Sequence, residues 1–593
     1  MSSLKPGSSL KPGLDPISFA VVKNAMDAIA DEVAYTVLRT ARSEIVKDVM
    51  DYSAAICDRH GRMVVQAKTI ALHLGAIPEA MASMLARYGN DLSEGDAVIV
   101  NDPYQGGMHL PDIFMFVPFF HQQQLEGFCV VICHHTDVGG RVPGSNASDS
   151  TEIYQEGLRI PVVKLYECGQ MNDTLERLIG LNVRLPDRVL GDLRAQYAGA
   201  RVGVRELGKL FERHGSATAR LYLEEILDYA ERMTREEIRR WPKGTYRFTD
   251  HIDDDGLSPE PIAIQVAITV HDDHVSVDYS GSAPQVRAAI NSTLSYTKSC
   301  TFLSVRCALT GDVPNNAGVF RAIEVFVPEG SVLNPQEPAA VAARALTGYR
   351  VFDAMLGALA QIVPGRIPAA GEGGNTVVCI SGRKPDAHAR DNRGSSPFII
   401  VDMICGAWGA RPDQDGIEAI TNASQNLSNT PVETLEAQHP VRIEAYELVS
   451  DSCGAGLWRG GLGIRRSYRL LNPQALLQLR ADRIKFPPYA LAGGKPAACG
   501  QNLLEHDQVQ RELPGKITMT LSENDLVTHV QAGGGGFGDP LQRAPERVAQ
   551  DVWNGKITAV YAAREHGVVV DAASGVLDRA ATERLRSTVS SKP

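Results

Sequence analysis

The chain has 593 residues, 44% hydrophobic and 22% charged, so it exceeds a single core and predicts a soluble globular protein of several domains. Its net charge of −11 excludes the basic footprint of a nucleic-acid or anionic-membrane binder, and no apolar run approaches the roughly 20 residues that span a bilayer. Ten scattered cysteines without a Cys-x-x-Cys pair fit a reducing cytosol, so a cytoplasmic location is expected.

Residues 1–13 repeat Ser-Leu-Lys-Pro-Gly without an apolar core, which reads as a disordered leader and not a signal peptide. Folding is expected to begin at Asp15-Pro16, an N-cap followed by proline at the first helical position. From Ile17 to Ser43 apolar residues recur every three or four positions, which predicts a long amphipathic helix. Glu44 to Asp58 and Met63 to Gln66 then read as a hairpin. Three acids at its entrance, Glu44, Asp48 and Asp51, are candidate ligands or solvated caps. His73 lies in an apolar setting before a helix at 78–88. It reads as a core histidine, with a place facing the substrate or behind a metal ligand as the alternative.

The strand Asp96–Val100 runs into Asn101-Asp-Pro-Tyr-Gln-Gly-Gly-Met-His-Leu-Pro-Asp112, where His109 stands three residues before Asp112 in a backbone rich in proline and glycine. Two further strands, 113–120 and 128–133, flank a polar turn at 121–127, and the second ends in Cys133-His-His-Thr-Asp-Val-Gly-Gly140. Nitrogen and oxygen donors from two loops can converge on one divalent cation. Mixed His/Asp ligation suits Zn²⁺ first, with Mn²⁺ or Fe²⁺ as alternatives, and a hydrogen-bonded polar cluster is the competing reading. Adjacent histidines on an extended chain point to opposite faces, so only one of His134 and His135 faces a shared cation. Gly139 and Gly140 would let a substrate approach the backbone, or simply form a turn.

Residues 172–240 read as a helical layer, and the chain changes character at Trp241-Pro-Lys-Gly244. Strands are expected at 246–250, 262–270 and 274–279, and helices at 291–309 and 338–362. Arg344, inside the latter, could clamp a carboxylate or phosphate or make a structural ion pair. From 375 to 530 strands dominate: 376–380, 398–405, 441–448, 464–471, 476–481 and 517–521. Gly406–Gly416 reads as a ligand-facing or interface loop. Gly533–Gly538 lacks the Gly-Lys-Ser/Thr ending of a phosphate loop and predicts close backbone packing. Helices are expected at 545–554 and 580–587. The fold class is α+β with several domains: a leader at 1–13, a metal-binding and helical region at 14–243, a mixed region at 244–374, a β-rich region at 375–540 and a helical tail at 541–593.

Asn101–Asp112, His134–Gly140 and Ser148-Asp-Ser-Thr-Glu-Ile-Tyr-Gln-Glu-Gly-Leu-Arg159 resemble the B-type chains of the hydantoinase and oxoprolinase family. So do Gly409-Ala-Arg-Pro412, Asp415-Gly416, Asp451–Gly456, Arg459–Gly463 and Gly533–Pro540, in family order. The sequence departs from the family at Ala407-Trp408, where glycines are common, and at Cys453. The resemblance implies half of a cyclic-amide hydrolase. A separate A-type chain takes up ATP and phosphorylates the carbonyl oxygen, in an expected assembly of two chains of each kind, while this chain holds a metal that activates water. By the family motif Asp51 and His134 join His109 and Asp112 as expected ligands, with His135 or Asp137 assisting proton transfer. The substrate class is a lactam, hydantoin or 5-oxoproline ring. The alternatives are one chain of an acetone- or acetophenone-type carboxylase, or a scaffold whose metal only pins loops.

Overall fold

The computed structural model describes residues 10–11, 14–373, 375–385 and 394–590, so the expected leader lies outside the described residues apart from Leu10 and Lys11. The chain is α+β and divides into two compact units: 1–249 with 263–358 and 423–427, and 250–262 with 359–422 and 428–593.

The first unit is built on a seven-stranded antiparallel sheet. Its strands are β1 (Tyr52–Asp58), β2 (Met63–Gln66), β3 (Ala97–Val100), β4 (Asp112–His121), β5 (Gln124–His134), β6 (Val163–Glu167) and β7 (Gln170–Met171), in the order β2-β1-β5-β4-β3-β6-β7. The β4–β5 hairpin is tighter than the sequence predicts. Gln122 and Gln123 take positive φ of 50° and 64°, a two-residue turn whose twist matches the strands, and His121 pairs with Gln124. The hairpin expected from Glu44 opens instead with a single helical turn, Glu44–Lys47, capped by the Ser43 side chain.

One face of this sheet is covered by helices. The helix Pro16–Thr40 begins where Asp15 accepts the Ser18 N–H at 2.8 Å, and it ends at Thr40. With Pro186–His214 and Ser216–Arg239 it closes one apolar core: Val22, Met26, Val33, Val37, Leu193 and Leu207 meet Ala54, Ile56, Met115, Val117 and Val131. A second sheet of the unit has the order Ile323–Phe326, Val275–Asp278, Ile262–Val270, Gly244–Ile252, with its first two strands parallel.

The helix expected at 338–362 starts only at Arg344. Alanine-rich sequence favours helix, but the preceding residues bond elsewhere. The Pro338 carbonyl accepts from Ile153, the Ala340 carbonyl from the Asn291 side chain, and the Ala343 N–H reaches Ala289. Tertiary partners override local propensity here. The result is a non-helical strap that returns in the site below.

The second unit contains a four-stranded sheet (Ser395–Met403, Val377–Pro385, Gln474–Arg480, Lys516–Ser522) and a five-stranded sheet (Val441–Leu448, Ile464–Leu470, Leu526–Val530, Gln501–His506, Val509–Leu513). Ile380, Ile400, Leu477 and Leu479 from the first share one core with Tyr468, Leu504 and Val527 from the second. Gly533–Gly536 forms a seam. A Cβ on any of the four would fall onto a carbonyl oxygen, of Ser452, Trp408, Tyr489 or Ala455 in turn, so the strip packs backbone on backbone as the sequence predicts. In the loop at 406–416, Asp415 is ion-paired to Arg543 at 2.7 Å and accepts the Arg459 N–H, which ties it to a network within the same unit.

Candidate metal centre

Three neighbouring strands of the first unit deliver the site. In β4 and β5 Asp112 stands opposite His134, and in β1 and β5 Tyr52 stands opposite Cys133. Asp51, one residue before β1, accepts the His134 backbone N–H at 3.1 Å through its backbone carbonyl. Opposed residues of an antiparallel ladder share a face, so Asp51, His134 and Asp112 form one row across the sheet. Tyr52, Cys133 and Ile113 turn the other way, into the core beneath the helices. The row is therefore on the face away from them.

His109 joins from the loop before β4. The Asn101 amide holds that loop by donating to the Leu110 and Leu158 carbonyls at 2.7 and 3.0 Å. Asp102 caps the short 3₁₀ turn Pro103–Gln105, and Gly106 reverses the chain at φ 94°. His109 Nε2 reaches 3.2 Å from Asp112 Oδ2, and the His109 and His134 rings lie 5.0 Å apart. One donor atom from each of His109, Asp112 and His134 falls within 4.8 Å of the others, and all three residues are buried.

The protonation pattern fits a cation. His109 Nδ1 lies 3.0 Å from the Ala342 carbonyl, so it carries the proton and Nε2 presents a lone pair toward Asp112. The same logic applies to His73. The Ser53 hydroxyl donates to the Ile70 carbonyl at 2.8 Å, so the His73 Nδ1–H donates to Ser53 Oγ at 3.1 Å. His73 Nε2 then faces Asp51 Oδ1 at 3.5 Å. Burial holds both imidazoles near about 4, the neutral form that ligates metals. In each pair, lone pairs face a carboxylate oxygen, an arrangement that a positive ion reconciles. Asp112 Oδ1 is moreover buried without a hydrogen-bond partner, as a vacant ligand atom would be. The donor set of nitrogen and oxygen suits Zn²⁺, Mn²⁺ or Fe²⁺.

Arg344 completes the electrostatics. Its Nη2 lies 2.5 Å from Asp112 Oδ2, and its guanidinium covers the Tyr296 ring at 4.4 Å. Burial works against the ionised form of Asp112, yet His109 and His73 in their protonated forms, together with the permanently charged Arg344, hold its carboxyl well below the usual carboxylate range.

His135 and Asp137 are not brought into this cluster. His135 alternates to the helical face, where its Nε2 lies 3.1 Å from Gln196 Oε1. Gln196 in turn donates to the Ile113 carbonyl at 2.9 Å and braces β4. Asp137 Oδ1 accepts from Gly144 N–H at 3.0 Å and from Arg184 Nη1 at 2.9 Å, while Oδ2 accepts the Arg184 N–H at 2.7 Å. Gly139 and Gly140 take φ of 87° and 80°, and a Cβ on either would fall onto the backbone of Asn182 or Glu156. Of the acids before β1, Glu44 pairs with Arg188 at 2.5 Å, away from the row.

Three participants carry no clear signal in the sequence: His73, Arg344 and the Ala342 carbonyl. His73 and Arg344 have the right chemistry, but single residues 20 to 230 positions from their partners have no diagnostic spacing. A backbone carbonyl has no sequence signal at all.

Residues 15–540 match the model of the hydantoinase B/oxoprolinase family. The chain is similar to the beta chain of the caprolactamase of Pseudomonas jessenii, with 34% identity over 97% of this chain and 99% of that one. It is also similar to the B chain of a putative D-/L-hydantoinase from a Pseudomonas species, with 31% identity over 97% and 98%. The crystal structure of the ATP-dependent caprolactamase from Pseudomonas jessenii superposes with a TM-score of 0.89 at 32% identity, covering 97% of this chain and 100% of that one.

Proposed function

Because the chain belongs to the hydantoinase B/oxoprolinase family, we propose that it is the cation-holding subunit of an ATP-dependent hydrolase that opens cyclic amides. The observation that carries this reading is the buried row of Asp51, His134 and Asp112 with His109 beside it. These four residues would hold the cation, zinc before manganese or iron. A bound divalent cation supplies Lewis acidity and brings the pKa of water toward ~7.

The chain's own residues account for the rest. His109 offers a neutral ring nitrogen and His134 a second imidazole, and Asp112 offers an ionised oxygen that Arg344 keeps ionised. Burial of the row excludes bulk water, which strengthens each of these interactions. His135, through Gln196, and Asp137, through Arg184, hold the strand ends and the following loop in place.

An unstrained cyclic amide is a poor electrophile, so its carbonyl oxygen needs activation. That step falls to a separate A-type chain carrying ATP, and the relatives named as subunits support such a partner. Two chains of each kind in a cytosolic complex is the assembly we assign. No helix among the described residues is long and apolar enough to cross a membrane, and no disulfide joins the described cysteines.

The test is ring opening by the chain co-purified with its A-type partner, given ATP and a panel of lactams, hydantoins and 5-oxoproline, with and without bicarbonate. Ring-opened product without bicarbonate is expected. Inactivity until bicarbonate and a ketone are supplied would replace this reading with a carboxylase.

A further inference from the structure

The strap before Arg344 braces two of the four proposed ligands from outside the sheet. Ala342 accepts the Nδ1 proton of His109 through its carbonyl, and Arg344 grips the carboxylate of Asp112. Whatever fixes residues 341–344 therefore fixes which nitrogen His109 presents and which oxygen Asp112 leaves exposed.

A single carboxylate does this. Glu156 Oε1 accepts the N–H groups of both Val341 and Ala342, at 2.7 and 2.8 Å. Glu156 is 2% exposed, and its second oxygen, Oε2, is buried without a hydrogen-bond partner. A buried carboxyl with one oxygen idle is costly to keep unless its other oxygen satisfies groups that would otherwise be orphaned. Here it bonds two successive backbone N–H groups that the non-helical strap would otherwise leave unsatisfied. Glu156 is itself set by the 3₁₀ turn Ile153–Gln155, and Ile153 N–H bonds the Pro338 carbonyl at the far end of the strap. Both ends of the strap thus hang on one short segment. Burial pushes the Glu156 carboxyl up to about 8, so an uncharged acceptor of the same shape should serve.

We infer that Glu156 is the positioning residue of the centre: by clamping Val341 and Ala342 it sets the tautomer of His109 and the carboxylate orientation of Asp112. Its carboxyl bonds the strap's N–H groups, and it stands outside the proposed ligand set. The inference rests on the proposed cation site and extends it by naming what holds it in register.

The experiment compares the full-length wild-type chain with Glu156→Gln, Glu156→Ala and Glu156→Asp. Each is stripped with a chelator and titrated with Co²⁺ and then Zn²⁺, reading the dissociation constant and the visible Co²⁺ spectrum beside the melting temperature. Glutamine keeps the acceptor oxygen, so Glu156→Gln should bind within about threefold of wild type with an unchanged spectrum. Glu156→Ala should lose at least about tenfold in affinity, the usual scale for residues behind a metal ligand, with an altered spectrum. Should Glu156→Ala fail to fold, Glu156→Asp carries the comparison, because the shorter side chain draws the oxygen away from the strap. Wild-type affinity and spectrum in Glu156→Ala would overturn the inference, and so would an equal loss in Glu156→Gln. A wild-type chain that takes up neither Co²⁺ nor Zn²⁺ would bring down the cation site itself, and the clamp with it.

Discussion

Arg344 and Asp112, 232 residues apart, meet as a buried ion pair with Nη2 and Oδ2 at 2.5 Å, side-chain exposures of 5% and 0%. Breaking such a pair leaves an uncompensated buried charge, which costs about 3–5 kcal/mol. Arg344→Gln should therefore lower the melting temperature of the chelator-treated protein, and saturating Zn²⁺ should restore a large part of the loss because the cation replaces the missing positive charge. Calorimetry with and without Zn²⁺ checks this. An identical deficit in both conditions would show that Arg344 and the cation do not share Asp112.

His109 contributes a ring nitrogen whose other face is already committed to Ala342. Removing it with His109→Ala should cost more cation affinity than the ~10–100-fold typical of residues behind a ligand, and should abolish ring opening while the folded chain still assembles with its partner. Metal analysis of the purified complex, alongside the lactam assay, reads both. Full activity without bound metal would refute the metal mechanism.

The pH dependence of stability should carry a signature of Glu156. Its folded-state pKa is raised by burial to about 8, opposed by the Ala342 and Val341 N–H groups and by Arg344. The folded chain thus binds this proton more tightly than the unfolded chain. The stabilisation is fully present below the ordinary glutamate range and is lost as pH rises through about 8, at roughly 1.4 kcal/mol per pH unit. Glu156→Gln, which cannot ionise, should gain on wild type progressively between about pH 5 and 8 and hold a constant lead above. Denaturant titrations at three pH values measure the gap; a gap independent of pH would contradict the raised pKa.

A Cβ on Gly534 would lie 2.0 Å from the Trp408 carbonyl oxygen, and the glycine's own N–H and C=O are bonded to Gly461 and Gly454. Gly534→Ala forces backbone against backbone, where no side chain can yield. A loss of about 1–3 kcal/mol or more is expected, with a fall in soluble yield. Chemical denaturation of the purified variant checks it, and a variant as stable as wild type would show that the seam can relax.

The row of proposed ligands is legible in sequence because each lies beside a strand end with its own turn chemistry. Alternation allows only one of His134 and His135 to face the row, and the structure sends the latter to Gln196. The family motif supplies the choice of His134 and also Asp51. Strands with clear periodicity, such as Ile262–Val270 and Val441–Leu448, appear where the pattern places them. Short or charged strands do not announce themselves: Gln501–His506, Val509–Leu513 and Leu526–Val530 lack a long apolar alternation and depend on their neighbours in the five-stranded sheet. The strap misleads for the opposite reason. Ala339–Ala343 has strong helix propensity, and only partners 49 to 233 residues away reveal why it is not helical.

The ion pair between Asp112 and Arg344 also sets an order of events during synthesis. Asp112 leaves the ribosome 232 residues before its counter-charge, an interval of roughly 10–50 s at 5–20 residues per second. Until Arg344 emerges, closing the sheet over a carboxylate with no cation beside it is unfavourable. The nascent β1–β5 region therefore has reason to stay open to water, or to a chaperone, well after its own residues are made, until the strap or a bound cation supplies the positive charge.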